Sequence, residues 1–103
     1  MIKYSIEFLP QAYDDIESIA DTLAQFYKST VSNFRSSLEK KIEQICTNPF
    51  SCPISLYSEK FRLAIIDDNI LYYEVNESTQ MITVYIVIHS SRDIENFLSK
   101  LLI

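Results

Sequence analysis

A chain of 103 residues with 48% hydrophobic side chains is expected to form one small domain, 1–103. It is too short for a second core and too apolar for disorder. Its formal net charge of −5 argues against strong, sequence-independent binding to phosphate backbones, which depends on dense Lys and Arg, and leaves room for a local basic patch. There is no basic leader with an apolar core behind it, and no apolar run approaches about 18 residues. A cytoplasmic protein with no membrane partner is expected.

The first element is a strand, because Tyr4, Ile6 and Phe8 alternate with Lys3, Ser5 and Glu7. Pro10 suits the first turn of a helix, where its missing N–H costs nothing. Tyr13, Ile16, Ala20, Leu23 and Phe26 or Tyr27 then recur at spacings of three and four, one stripe of an amphipathic helix. Leu9 falls at the N-cap, where a Ser or Asp typically stabilises by about 1 kcal/mol. Asp14, Asp15, Glu17 and Asp21 read as a solvated helix face near the N-terminus, where the dipole favours negative charge.

Ser29 and Thr30 interrupt the pattern and can cap a second helix with the stripe Val31, Phe34, Leu38, Ile42 and Ile45. So short a connection predicts an antiparallel helical hairpin. Asn48-Pro49 ends it, and Pro53 marks the following loop. Cys46 and Cys52 stand without a nearby His or further Cys, so no metal site is expected, and both read as reduced, structural residues.

From here the period is two. Phe61 to Ile66, Ile70 to Val75 and Met81 to Ile88 are predicted strands, joined by Asp67-Asp68-Asn69 and by Asn76 to Gln80. With no Gly in the chain, these turns must use Asp, Asn and Ser. The runs Leu63 to Ile66 and Val84 to Ile88 are nearly continuous in apolar residues, which predicts a sheet buried on both faces at its centre. Neighbours on a strand point to opposite faces, so one of Tyr72 and Tyr73 belongs to the core and the other to the sheet surface. Ile94, Phe97, Leu98 and Leu101 make a short final helix or an apolar tail, exposed enough to call for a partner. The expected architecture is α+β: an N-terminal strand, an antiparallel helical hairpin packed on a small, twisted, mainly antiparallel sheet, and a short C-terminal helix.

That order, with these residues, resembles the RelE/ParE superfamily of bacterial toxins over essentially the whole chain. Phe8-Leu9-Pro10-Gln11-Ala12 is close to the family's "F-x-P-x-A" entry into its first helix. Leu71-Tyr72-Tyr73-Glu74-Val75 resembles its "L-I-F-Y-x-V" strand, and Phe61-Arg62 opens the central strands. Ile88-His89-Ser90-Ser91-Arg92-Asp93 resembles "h-H-x-x-R-D", where h is apolar, and is nearer the ParE branch than RelE. The resemblance implies the toxin of a type II toxin–antitoxin pair, needing no cofactor. A cognate antitoxin would neutralise it by folding a flexible segment onto it. ParE-like members poison DNA gyrase through contacts involving the C-terminal region; RelE-like members cut mRNA on the ribosome.

Cleaving RNA through the 2′-hydroxyl requires a group to take its proton and cations to stabilise charge at phosphorus. Arg62 matches the first arginine position of RelE-like toxins and can clamp a phosphate. The second expected arginine, three residues before His89, is Ile86, and only Lys60 precedes Arg62 in the loop. If the chain is an endonuclease, Arg62, His89 and Tyr85 carry the chemistry. Strand alternation places His89 with Thr83, Tyr85 and Val87, and Arg62 with Ala64 and Ile66. A lone His past a strand more often bonds a turn than acts in catalysis, and Asp93 with Arg92 more often caps a helix.

The leading expectation is therefore a ParE-like inhibitory binding protein acting on gyrase. Arg62, His89, Arg92, Asp93, Phe97, Leu98 and Leu101 would be its target- or antitoxin-binding residues. The alternatives are a RelE-like ribosome-dependent mRNA endonuclease and a non-toxic binding module of the same fold.

Overall fold

The alternating runs assemble into one sheet, and the helical stripes into two helices on one of its faces. The computed structural model describes residues 3–26, 28–56 and 58–90. In order these form β1 (Ser5–Phe8), α1 (Pro10–Phe26), α2 (Lys28–Thr47), β2 (Arg62–Ile66), β3 (Asn69–Asn76) and β4 (Met81–His89). The final helix expected around Ile94 to Leu101 lies outside the described residues, with Arg92, Asp93, Phe97 and Leu98.

The sheet runs β1-β4-β3-β2. β1 is parallel to β4, Ser5 opposite Met81 through Phe8 opposite Val84, and the other two pairings are antiparallel. The chain thus returns to its first strand only after both helices and the β2–β3 hairpin.

Leu9 is a poor cap, yet α1 starts where Pro10 predicts. The Leu9 carbonyl accepts from the Ala12 and Tyr13 N–H groups, and the Phe8 and Tyr13 rings pack 5.4 Å apart. Phe8 precedes the cap and Tyr13 is the fourth helical residue, the arrangement of a hydrophobic staple that fixes the chain's entry into a helix. Tyr13 and Phe26 are accordingly no part of the buried stripe and stand 58% and 69% exposed. Ala12 is the fully buried contact of α1, with Ile16, Ile19 and Leu23 packed around the core.

Ser29 and Thr30 do not cap α2, because helix already begins at Lys28; only Tyr27 separates it from α1. Phe34 and Ile45 carry the buried face of α2, with Leu38 and Ile42 beside them. Helix ends at Thr47, before Asn48-Pro49.

The sheet is buried on both faces. Ala64, Ile66, Leu71, Tyr73, Ile82, Val84 and Val87 meet the helices. Phe61, Tyr72, Ile86 and Ile88 form a second cluster with Leu63, Ile70 and Tyr85. Tyr72 and Tyr73 are therefore both core residues, one in each layer, rather than one core and one surface. The Tyr73 hydroxyl donates to the Pro49 carbonyl at 2.8 Å, tying the end of the helical hairpin to the middle of β3. Burial holds that hydroxyl well above its usual pKa. Cys46 and Cys52 are buried and unbridged.

Without Gly, the left-handed turn positions fall to Asp67 and Gln80, each at φ 54°. Asp tolerates that region through local hydrogen bonding; Gln bears the steric cost of its Cβ.

Candidate functional site

The site residues read from the sequence are distributed by one irregularity in β4. Tyr72 lies opposite Ile86, but Tyr73 lies opposite Val84, so Tyr85 is an extra residue in the ladder. Such a bulge breaks the alternation of faces. Val84 and Val87 meet the helices, whereas Tyr85, Ile86 and Ile88 lie on the other side. His89 therefore shares a face with Val87 as expected, but not with Thr83 and Tyr85.

Arg62 lies on the helix side of β2 with Ala64 and Ile66, opposite Tyr73. Its Nη1 donates to the Cys52 carbonyl at 2.7 Å and to the Phe50 carbonyl at 3.3 Å. The guanidinium stacks 5.0 Å from the centre of the Phe50 ring. Those contacts hold the loop after α2 against the edge of the sheet, where Ile54 bridges Arg62 and the Leu63 N–H bonds the Pro53 carbonyl.

Tyr85, on the opposite face, packs edge-on to Phe61 at 4.8 Å and donates to Glu74 at 3.2 Å. Lys60 lies 5.1 Å from the Tyr85 ring centre and 3.7 Å from a Glu74 carboxylate oxygen. Hydrogen bonding to the Tyr85 side chain, with the charge on Glu74 adding to it, pushes the Lys60 pKa up. Lys60 and Glu74 are thus a functional-looking pair that the sequence did not single out, since thirteen intervening residues and a turn hide their proximity.

His89 stands at the far end of the sheet. It is opposite Asn69, which in turn is opposite Ile66. The rows of Arg62 and His89 are therefore about 13 Å apart along the strands and about 10 Å across them. The structure does not bring Arg62, His89 and Tyr85 together.

Instead, His89 lines a cavity of about 370 Å³ between the helical hairpin and the end of the sheet. Asp15, Ile19 and Leu23 of α1, Phe34 of α2 and the Asp67-Asp68 turn also bound it. Asp15 is half-buried there: its Oδ2 accepts from the Val87 N–H at 3.0 Å and its Oδ1 from Gln11 at 2.8 Å. It is more than part of a solvated helix face. β1 ends opposite Val84, so beyond that point the outer edge of β4 needs an acceptor from elsewhere, and Asp15 supplies it.

Asp67 accepts from Ser37 at 3.1 Å, and the Asp68 carbonyl from the Ser90 N–H at 2.9 Å. Among the described residues no group of three or more His, Cys, Asp or Glu is placed to hold a metal ion. Among the same residues no helix is long and apolar enough to cross a membrane.

No curated protein matches the sequence. Among solved structures, the chromosomal ParDE toxin–antitoxin system of P. aeruginosa aligns with a TM-score of 0.71 at 9% identity, over 86% of this chain and 98% of that one. The isolated E. coli RelE toxin aligns with a TM-score of 0.63 at 17% identity, over 97% and 99%. The RelBE2 toxin–antitoxin complex of Mycobacterium tuberculosis gives 0.61 at 14% identity, over 85% and 99%. At such identities these structures share the fold: helices on a four-strand mixed sheet. The family model described as the ParE toxin of the type II toxin–antitoxin system parDE matches residues 6–94. The chain belongs to the ParE toxin family, within the RelE/ParE superfamily of type II toxins.

Proposed function

We propose that this chain is one toxin domain that stops growth in the cytoplasm by binding DNA gyrase, and that a cognate antitoxin neutralises it. What carries the reading is the separation of the groups an endonuclease would need. Arg62 is engaged by two main-chain carbonyls, Tyr85 lies across the sheet, and His89 is at the other end of it. RNA cleavage requires its base and its charge-stabilising groups within about 3 Å of the reacting atoms. Inhibition by binding requires only a surface. In this reading Arg62 and His89, with Arg92, Asp93, Phe97, Leu98 and Leu101, contribute to the contacts with gyrase or antitoxin.

The antitoxin reading draws on the ParDE and RelBE structures, which are of toxin–antitoxin systems and complexes. The test is controlled expression with pulse labelling of DNA and protein synthesis, beside supercoiling by purified gyrase. DNA synthesis failing first, with supercoiling inhibited, is the expected result. Protein synthesis failing first, with cleavage of translated mRNA that Arg62→Ala abolishes, would replace it with the endonuclease reading.

A further inference from the structure

The cavity beside His89 has a make-up that selects its occupant. Its floor is apolar, formed by Ile19 and Leu23 of α1, Phe34 of α2 and Val87 of β4. Its rim carries Asp15, Asp67 and Asp68, and among the described residues neither Lys nor Arg lines it. The imbalance continues along α1, which has Asp14, Asp15, Glu17 and Asp21 and no basic residue.

The rim carboxylates have capacity left. A carboxylate offers about four acceptor sites, and the hydrogen bonds from Val87, Gln11 and Ser37 use only part of those on Asp15 and Asp67. A purely apolar guest would leave this negative charge uncompensated as it excluded water. A bare metal ion would make no use of the apolar floor. A long aliphatic stem ending in a cation satisfies both surfaces, which is how Lys and Arg side chains behave at the margin of apolar patches. The volume, about 370 Å³, is near the lower end of ligand pockets, roughly 300–1,000 Å³, and suits one such side chain with its neighbours.

We infer that this cavity is the anchor site for a single basic side chain of the antitoxin, its stem on Ile19, Leu23 and Phe34 and its cationic head between Asp15 and the Asp67-Asp68 turn. The inference rests on the reading that an antitoxin binds this chain. It adds a polarity: this toxin, at a net charge of −5, presents the acid and its antitoxin the base.

Two measurements test it. In the first, the full chain, isotopically labelled, is titrated by NMR with n-propylguanidinium, an arginine side chain without its backbone, and with neutral n-propylurea. Saturable shifts of the Ser18, Thr22, Val87 and His89 amides with the cation are expected, at least fivefold weaker affinity with Asp67→Asn/Asp68→Asn, and no matching response to the urea. Equal responses to both compounds, or none at these amides, would overturn the anchor site. Asn tolerates the turn's left-handed position, and unchanged signals elsewhere show that the double variant is folded.

In the second, calorimetry measures binding of the antitoxin encoded beside the toxin. The double variant is expected to bind at least tenfold more weakly, with a shallower dependence on salt. Wild-type binding that is indifferent to the double variant would overturn the anchor and leave the toxin reading standing. Absence of any wild-type binding would overturn both.

Discussion

The Asp15 carboxylate on α1 accepts a hydrogen bond from the main-chain N–H of Val87 on β4, Oδ2 to N at 3.0 Å. A helix side chain stands there in place of a strand. The four residues of β1 cover β4 only from Met81 to Val84, and the Leu9 N–H caps the last of these by bonding the Val84 carbonyl. Asp15, six residues and about 1.7 helical turns beyond Leu9, takes over where the ladder stops.

Asp15→Ala should therefore destabilise the fold by about 1–3 kcal/mol, the range for a partly buried donor left without its partner. Asp15→Asn keeps an acceptor oxygen and should lose less. Urea unfolding midpoints at unchanged slope measure both, and amide exchange at Val87 should accelerate in the alanine variant first. Equal midpoints for alanine and wild type would show that water serves Val87 as well.

Tyr73→Phe removes the hydroxyl that donates to the Pro49 carbonyl inside the core. The orphaned acceptor should cost about 1–3 kcal/mol. The pH dependence has a definite sign. The phenol's folded pKa is raised above its usual value of 10.0 by burial, so its contribution is complete below pH 10 and is lost as pH rises beyond it. The stability gap between wild type and Tyr73→Phe should accordingly shrink in alkaline solution. A gap constant from pH 7 upward would contradict the buried, neutral hydroxyl.

The loop after α2 depends on Arg62. Its guanidinium reaches two carbonyls and stacks on Phe50, and a Lys ammonium reproduces neither the fork nor the planar stack. Arg62→Lys and Arg62→Ala should both speed hydrogen exchange and proteolytic cutting around residues 50–55. Rescue by Lys would mean that charge alone holds the loop. Any loss of toxicity in Arg62→Ala must be weighed against this loosening before a functional role is assigned.

Gln80 sits at φ 54°, where a Cβ costs about 1–2 kcal/mol, while its carbonyl accepts from the Ser5 N–H at 3.0 Å. Gly there relieves the strain but adds unfolded-state entropy of about 0.5–1 kcal/mol. Gln80→Gly should raise thermal stability by roughly 0.5–1 kcal/mol net. A fall in melting temperature would mean that the Gln side chain contributes more than its backbone strain removes.

The elements of this fold were legible because each has a strong period or a clear break. Tyr4, Ile6 and Phe8 mark β1, Pro10 and Pro49 bracket the helical hairpin, and Asp67-Asp68 turns β2 into β3. Alternation also put Arg62 on the correct face. The bulge at Tyr85 was not legible, because Val84 to Ile88 is apolar throughout and carries no polar residue to reveal a change of phase. The same slip misplaced His89 relative to Tyr85.

Two further roles left no trace in residue type. Asp15 looks like any acid in the first half of a helix, and its partner is a main-chain N–H. The partners of Arg62 are carbonyls of Phe50 and Cys52, which no side-chain pattern announces. Tyr13 misled in the other direction: it falls on the apolar stripe, but its ring belongs to the staple with Phe8.

The pairing of β1 with β4 has a consequence for the birth of the molecule. Ser5 to Phe8 find their ladder in Met81 to Val84, so the first of the described strands waits for the last of them. The helices and the β2–β3 hairpin can form from local contacts, but the sheet that supports them is incomplete until β4 enters its middle. Non-local closure of this kind is slow and leaves apolar surface uncovered meanwhile. The sheet is therefore complete only once β4 has docked, and a partner that binds the finished fold finds its surface only after that step.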